Sequence, residues 1–197
     1  MPRQHTVEKI GGTSMSRFGE VLRNVIIGNR KGADLYNRLF VVSAYGGITN
    51  LLLENKKSGA PGVYGKFAAG DDTWIASLEQ ARAKMLEFNH SFETIGLDQR
   101  EADNFVNERM DGIRDCLHDL VRLRTYGHFN IKTYLPPTRE MLSAVGEAHS
   151  AFNSTLILQR HDINAELIDL TGWKKDELLS FDEVVTQAFA DIDFSKV

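Results

Sequence analysis

Two stretches decide the fold: Val7-Glu8-Lys9-Ile10-Gly11-Gly12-Thr13-Ser14 and Phe40-Val41-Val42-Ser43-Ala44-Tyr45-Gly46-Gly47-Ile48-Thr49-Asn50. Each runs from a short apolar, β-branched strand pattern into a glycine pair, then into small hydroxyl residues that open a helix. Glycine lets backbone N–H groups approach a ligand closely, and a helix N-terminus favours anionic groups. Two such turns in one sheet predict a single site where two anionic ligands meet. Lys9, just ahead of the first turn, adds a mobile positive charge suited to phosphate.

Outward from these turns, strands are expected at 6–10, at Leu39 to Ala44 and at Ala165 to Leu170. A helix is expected over 14–30, with Phe18, Val21, Leu22, Val25 and Ile26 at helical spacing, and a short one over 47–54. The Gly/Pro/Lys-rich stretch 55–70 reads as a surface connection, with a mobile flap as the functional alternative. Asp71-Asp72-Thr73 caps a long helix whose stripe is Trp74, Leu78, Ala81, Met85, Phe88 and Phe92. Gly96 stops it, and Asp98 starts a second with Val106, Met110, Ile113, Leu117 and Leu120. The pair reads as an antiparallel hairpin over the sheet, its aromatics core rather than cofactor contacts.

Pro136-Pro137-Thr138 opens a further helix near 138–160, with Met141, Val145, Ala148, Phe152 and Leu156 as its buried stripe. Ser143, Glu147, Ser150 and Ser154 line its opposite face, which a ligand or chain segment could approach closely. A last helix is expected over 180–190. Strands alternating with helices argue for an α/β fold with a mainly parallel sheet. The chain stops at Asp191 to Val197 without a closing element, so it reads as part of a longer protein.

Composition narrows the function classes. The 197 residues are 42% hydrophobic and 25% charged, with net charge −4 and no basic stripe. That balance argues against nucleic-acid binding. A lone cysteine, Cys116, fits a reducing compartment, and no segment reaches the roughly 18 apolar residues of a membrane span. With no apolar signal core, the expectation is a cytoplasmic enzyme or binding protein. The histidines show no metal-ligand spacing.

The Lys-x-Gly-Gly-Thr-Ser run at 9–14 lacks the spacing of a P-loop and of a dinucleotide fingerprint. A glycine pair after a strand can be merely a tight turn. Lysine, approachable amides and hydroxyls in this order favour the phosphate reading. Ser43 and Thr49 bracket the second turn, where a strand followed by an ordinary helix cap is the plainer explanation. Glu147 could hold an ammonium group, although on spacing alone a helical glutamate is simply solvated.

Three motifs carry a family resemblance. Val7-Glu8-Lys9-Ile10-Gly11-Gly12-Thr13-Ser14-Met15 resembles the opening signature of aspartate kinases, usually Lys-Phe-Gly-Gly-Thr-Ser-Val. Val41 to Leu52 resembles the second signature, and Arg139-Glu140-Met141-Leu142-Ser143-Ala144-Val145-Gly146-Glu147 the third. The opening from His5 to Phe18 and the Thr171-Gly172-Trp173 segment are most similar to the aspartate kinases of ectoine synthesis. The resemblance covers essentially the whole chain.

It implies an amino acid kinase fold, a three-layer α/β/α sandwich, of which residues 1–197 would be the N-terminal, amino-acid-binding lobe. Lys9 would neutralise charge on the transferred phosphoryl group, with Gly11, Gly12, Thr13 and Ser14 beside the ATP phosphates. Ser43 and Thr49 would position L-aspartate, and Glu147 would hold its amino group. Mg²⁺ is expected with the nucleotide, and a homo-oligomer for the full-length protein. The implied reaction gives 4-phospho-L-aspartate, a first step toward lysine, threonine, methionine or ectoine. Ile10 and Met15 replace the usual Phe and Val, a change of packing rather than chemistry. The later Gly-Arg-Gly-Gly-Ser-Asp segment, the nucleotide lobe and the regulatory domains have no counterpart, so this chain is expected to be inactive alone. The alternatives are another amino acid kinase, with glutamate or uridylate as acceptor, and a non-catalytic amino-acid-binding or oligomerisation module.

Overall fold

The computed structural model describes residues 5–173, 179–190, 192–194 and 197. Strands β1 (Thr6–Ile10) and β2 (Arg38–Val42) pair in parallel, in register from Thr6 opposite Arg38 to Ile10 opposite Val42. Parallel neighbours require a crossover, which here is helical. It begins with α1 (Gly12–Met15) and α2 (Phe18–Val21), runs into a π-helical turn over Leu22–Ile27 and ends at Gly28. The expected helix over 14–30 therefore starts earlier and is broken. The wide π turn also shifts the phase of the apolar stripe: Phe18, Val21, Leu22 and Ile26 are buried, but Val25 is 44% exposed.

Arg38 fastens this crossover to the sheet. Its guanidinium donates to both Glu8 oxygens (2.6 and 2.8 Å) and to the carbonyls of Ile26 (2.6 Å) and Val25 (3.1 Å). Those carbonyls belong to the end of the π turn, where no intrahelical donor remains for them.

After β2 come α3 (Ile48–Leu52) and α4 (Val63–Ala69). Helix α4 occupies half of the stretch expected to be a loop. The remainder is a fastened hairpin rather than a flap: Glu54 bridges Pro61, and Asn55 Oδ1 accepts from the amides of Lys57 and Ser58.

The long hairpin is as the sequence predicts. Helix α5 (Trp74–Phe92) and α6 (Gln99–Arg124) pack through Trp74, Leu78, Ala81, Met85, Val106, Met110, Ile113 and Leu117, all buried. Asp98 caps α6 by accepting from the Glu101 amide (3.0 Å). Its main neighbours are α3 and α7 (Leu135–Arg160) rather than the strands, so it does not lie directly over the sheet.

Helix α7 runs between that hairpin and β2 and is covered nearly all round. Val145 and Ala148 are buried as expected, whereas Met141, Phe152 and Leu156 are only half-buried. Ser150 and Ser154, expected on an approachable face, lie in the core. Their hydroxyls are satisfied locally, Ser154 on the Ser150 carbonyl (2.7 Å) and Ser150 on the carbonyls of Glu147 (3.0 Å) and Ser43 (2.9 Å).

Among the described residues the segment 165–170 joins no ladder, contrary to the expected third strand. It is drawn sideways onto α6 instead. Arg109 pairs with Asp169, donates to Thr171 (3.1 Å) and stacks on the rings of Phe105 and Trp173. Helix α8 (Phe181–Ala190) forms where expected. The described chain is thus a helix-rich α/β unit on a two-stranded parallel sheet. Its strands keep one bare side, where Val7 is 68% and Val41 53% exposed.

Candidate functional site

The two glycine turns meet at Ala44. A Cβ placed on Gly12 would lie 2.6 Å from the Ala44 carbonyl oxygen, so only glycine permits this approach. Ser16 completes the join: its hydroxyl donates to the Gly12 carbonyl (3.0 Å) and accepts from the Gly46 amide (2.7 Å). One step earlier, the Ser43 amide donates to the Ile10 carbonyl (3.0 Å).

Lys9 folds back over the first turn, its Nζ 3.6 Å from where a Gly11 Cβ would sit. Its side chain is exposed, as are Thr13 and Ser14 on the first turn of α1, while Gly11 and Gly12 are half-buried. The five predicted phosphate-side residues therefore share one solvent-facing corner at the end of β1, carrying a positive charge and free hydroxyls.

Helix α7 closes on the second turn from the other side. A Cβ on Gly146 would come within 2.8 Å of the Ala44 Cβ and 3.1 Å of Ile48. The Ser150 bond to the Ser43 carbonyl holds this contact one helical turn further on. Between them stands Glu147, half-buried, with Oε2 lacking a hydrogen-bond partner among the described residues. Burial pushes its carboxyl above the usual range, and the Ala44 amide and the Lys56 ammonium pull the other way. The plain reading of Glu147 as a solvated surface residue is overturned. Ser43 and Thr49 are half-buried at either end of the same turn, Thr49 in the first turn of α3.

Beyond Glu147 opens a cleft of roughly 730 Å³ along the bare side of the strands, lined by Val7, Val41, Ser143, Ala144, Glu147 and Leu170 among others. Its walls are mostly apolar, and Glu147 is an ionisable group at its edge.

Behind the turn lies a polar cluster that the sequence reading missed. Asn89 of α5 accepts from Asn153 (2.7 Å) and lies 2.6 Å from His149 Nε2, and its own amide donates to Asp103 (2.8 Å). Tyr45 stacks on Phe88 (4.7 Å) and meets the His149 ring edge-on (5.1 Å). Burial drives the His149 imidazole down to about 3 and the Tyr45 phenol upward. The available signal was polar residues at core spacing: Asn89 four beyond Met85, and His149 and Asn153 four apart. Among the described residues no group of His, Cys, Asp or Glu side chains is arranged to hold a metal ion. No described helix is long and apolar enough to cross a membrane.

Sequence comparison now gives this arrangement a family. Over 194 residues, 98% of its length, the chain is 52% identical to the aspartate kinase Ask_Ect of Stutzerimonas stutzeri, and it spans 41% of that protein. The chain belongs to the aspartate kinases, as a segment of the ectoine type. No protein-family profile matches it, and no solved structure does.

Proposed function

We propose that this chain forms the acceptor-binding lobe of an aspartate kinase, which transfers the γ-phosphoryl group of ATP to the side-chain carboxylate of L-aspartate. The observation that carries this reading is the convergence on Ala44, where the first turn, the second turn and the Glu147 helix touch one residue. Glu147 would receive the ammonium group. Ser43 and Thr49 would orient the acceptor, and Lys9 with the Gly11–Gly12 amides would face the phosphates. Thr13 and Ser14 add hydroxyls there.

The chemistry asks little of a general base, because the acceptor is already an anion. Its obstacle is bringing a carboxylate up to a polyanion, which positioning and positive charge overcome. Lys9 would offset that repulsion, and Mg²⁺ arriving with the nucleotide would supply further charge. In the complete enzyme, further strands and helices would cover Val7 and Val41, producing the three-layer amino acid kinase sandwich. The nucleotide lobe and any regulatory domains would lie in that additional sequence, and the whole would act as a cytoplasmic homo-oligomer.

Calorimetry with L-aspartate, with and without ATP, tests the lobe itself. Aspartate binding that does not require ATP supports the reading. In a catalytically complete protein, ATP consumption with aspartate, glutamate and uridylate identifies the acceptor, and hydroxylamine traps the acyl phosphate that the two carboxylate acceptors would give. Turnover with glutamate or uridylate in preference to aspartate would overturn it.

A further inference from the structure

Each glycine turn is anchored to its own surroundings. Tyr45 buries its ring against Phe88 of α5 and His149 of α7 (4.7 and 5.1 Å), and the Ser150 hydroxyl holds the Ser43 carbonyl (2.9 Å). These ties run from the second turn to the helices. On the other side, Met15 and Phe18 are fully buried and seat the first turn in the core. Neither set of contacts fixes one turn relative to the other.

The sheet does so only as far as its end. The bond from the Ser43 amide to the Ile10 carbonyl (3.0 Å) lies one residue past β2, and from there the segments leave as α1 and α3. Gly12 then rests on Ala44, where an added Cβ would stand 2.6 Å from the carbonyl oxygen. That contact is a stop. Repulsion keeps the turns from closing further, but the weak attraction between so few atoms does little against their opening. Ser16 supplies the opposite limit, because its hydroxyl donates to the Gly12 carbonyl (3.0 Å) and accepts from the Gly46 amide (2.7 Å). A hydroxyl has a single proton, and Ser16 directs it to Gly12, which leaves none to donate to a ligand. Gly46 is held as closely, since a Cβ there would meet the Ser16 Oγ at 3.1 Å.

We propose that Ser16, one residue past the first motif, is a positioning residue that sets the separation of the two turns and so the alignment of phosphoryl donor with acceptor. The proposal rests on the reading of the first turn as the phosphate side and the second as the acceptor side, and extends it. Transfer requires the reacting atoms to approach to about 3–3.5 Å, and a misplacement of about 1 Å can cost about a hundredfold in rate. With each ligand held by a different turn, any error in the separation of the turns passes into that distance. Binding of either ligand alone makes no such demand. Loss of the bridge therefore slows transfer and leaves both affinities in place.

Steady-state kinetics in a catalytically complete protein carry the test. Ser16→Ala is expected to lower kcat about 10- to 100-fold, with KM for aspartate and for ATP within about threefold and the urea midpoint nearly unchanged. Ser16→Thr keeps the hydroxyl and should hold kcat within about threefold of wild type. Unimpaired turnover by Ser16→Ala, a loss carried by KM instead, or a Thr variant as slow as the Ala one would overturn the proposal. Lys9→Ala separates the underlying reading. If it too is harmless, the first turn is not the phosphate side; if it alone slows transfer, only the bridge fails. The bridge itself is read without ligand on the 197-residue chain, by amide hydrogen exchange followed with NMR. Ser16→Ala should lose protection at Gly46 and keep it at Ser43 in the sheet. Equal loss at both amides, or none at either, would refute the bridge.

Discussion

Gly12 lies against the backbone of Ala44 so closely that a methyl group on it would stand 2.6 Å from the carbonyl oxygen, whereas Gly11 next to it faces only the flexible end of Lys9 at 3.6 Å. Adjacent glycines thus carry different burdens. Gly12→Ala must push two strand ends apart and is expected to cost about 1–3 kcal/mol, the usual range for overpacking. Gly11 has an extended backbone (φ −79°), so Gly11→Ala should stay within about 0.5 kcal/mol. Urea denaturation of both variants checks the contrast, and equal effects would contradict it.

Lys9 carries the positive charge at the same corner. In a catalytically complete chain, Lys9→Ala is expected to lower kcat by about 10²–10³, the cost of losing one preorganised electrostatic donor. Its exposed side chain should leave the melting temperature nearly unchanged. Activity within threefold of wild type would remove Lys9 from the mechanism.

An ammonium anchor at Glu147 would make acceptor binding depend on pH. Burial raises its carboxyl above the ordinary 4.5, so the charged form that an ammonium group requires is lost at a higher pH than for a surface glutamate. Aspartate affinity should therefore begin to fall above pH 4.5 on acidification, before the ligand's own side chain titrates near 3.9. Calorimetric titrations from pH 8 downward give the profile. Glu147→Gln should bind more weakly and lose this limb. For folding alone the sign reverses: a raised carboxylate favours the native state when protonated, and that contribution fades as pH rises through its folded value.

Arg38 behaves in the opposite sense. Its hydrogen bonds hold the Glu8 carboxyl below 4.5, so the pair stabilises the fold fully above that value and fails as pH drops through the lower folded one. Removing the guanidinium strands the Ile26 carbonyl and leaves Glu8 with only the Thr6 hydroxyl (3.2 Å), while the Val25 carbonyl keeps its bond from Arg30 (2.7 Å). Arg38→Ala is expected to cost about 2–3 kcal/mol near neutrality, with the gap to wild type narrowing in acid. Chemical denaturation across pH 3–7 reads both effects, and a constant gap would argue against the Glu8 linkage.

Much of this molecule was legible in its sequence because local signals and tertiary demands agree. The glycine turns, the Asp98 cap and the Trp74–Leu117 helix hairpin each follow from spacing that packing then used. Helix α7 departs because periodicity reports one apolar face, while a helix enclosed on several sides buries small and polar residues too. Ser150 and Ser154 looked like an open polar edge and are core residues bonded to carbonyls. The segment 165–170 has strand-like residues, but Arg109 and its aromatic neighbours bind it to α6, a long-range pairing that no local pattern announces. Glu147 shows the same limit from the other direction, since only the fold reveals that Gly146 seats it against Ala44.

One buried imidazole sets how the molecule meets acid. His149 stays neutral down to about pH 3 in the folded chain, against an ordinary 6.5, so every unfolded copy in between takes up a proton that the native one refuses. Native stability accordingly drains away as pH falls below 6.5. Because that ring backs Tyr45 and takes up no proton while folded, the seat beneath the second turn keeps its native form through this range, and acid acts by favouring the unfolded population instead.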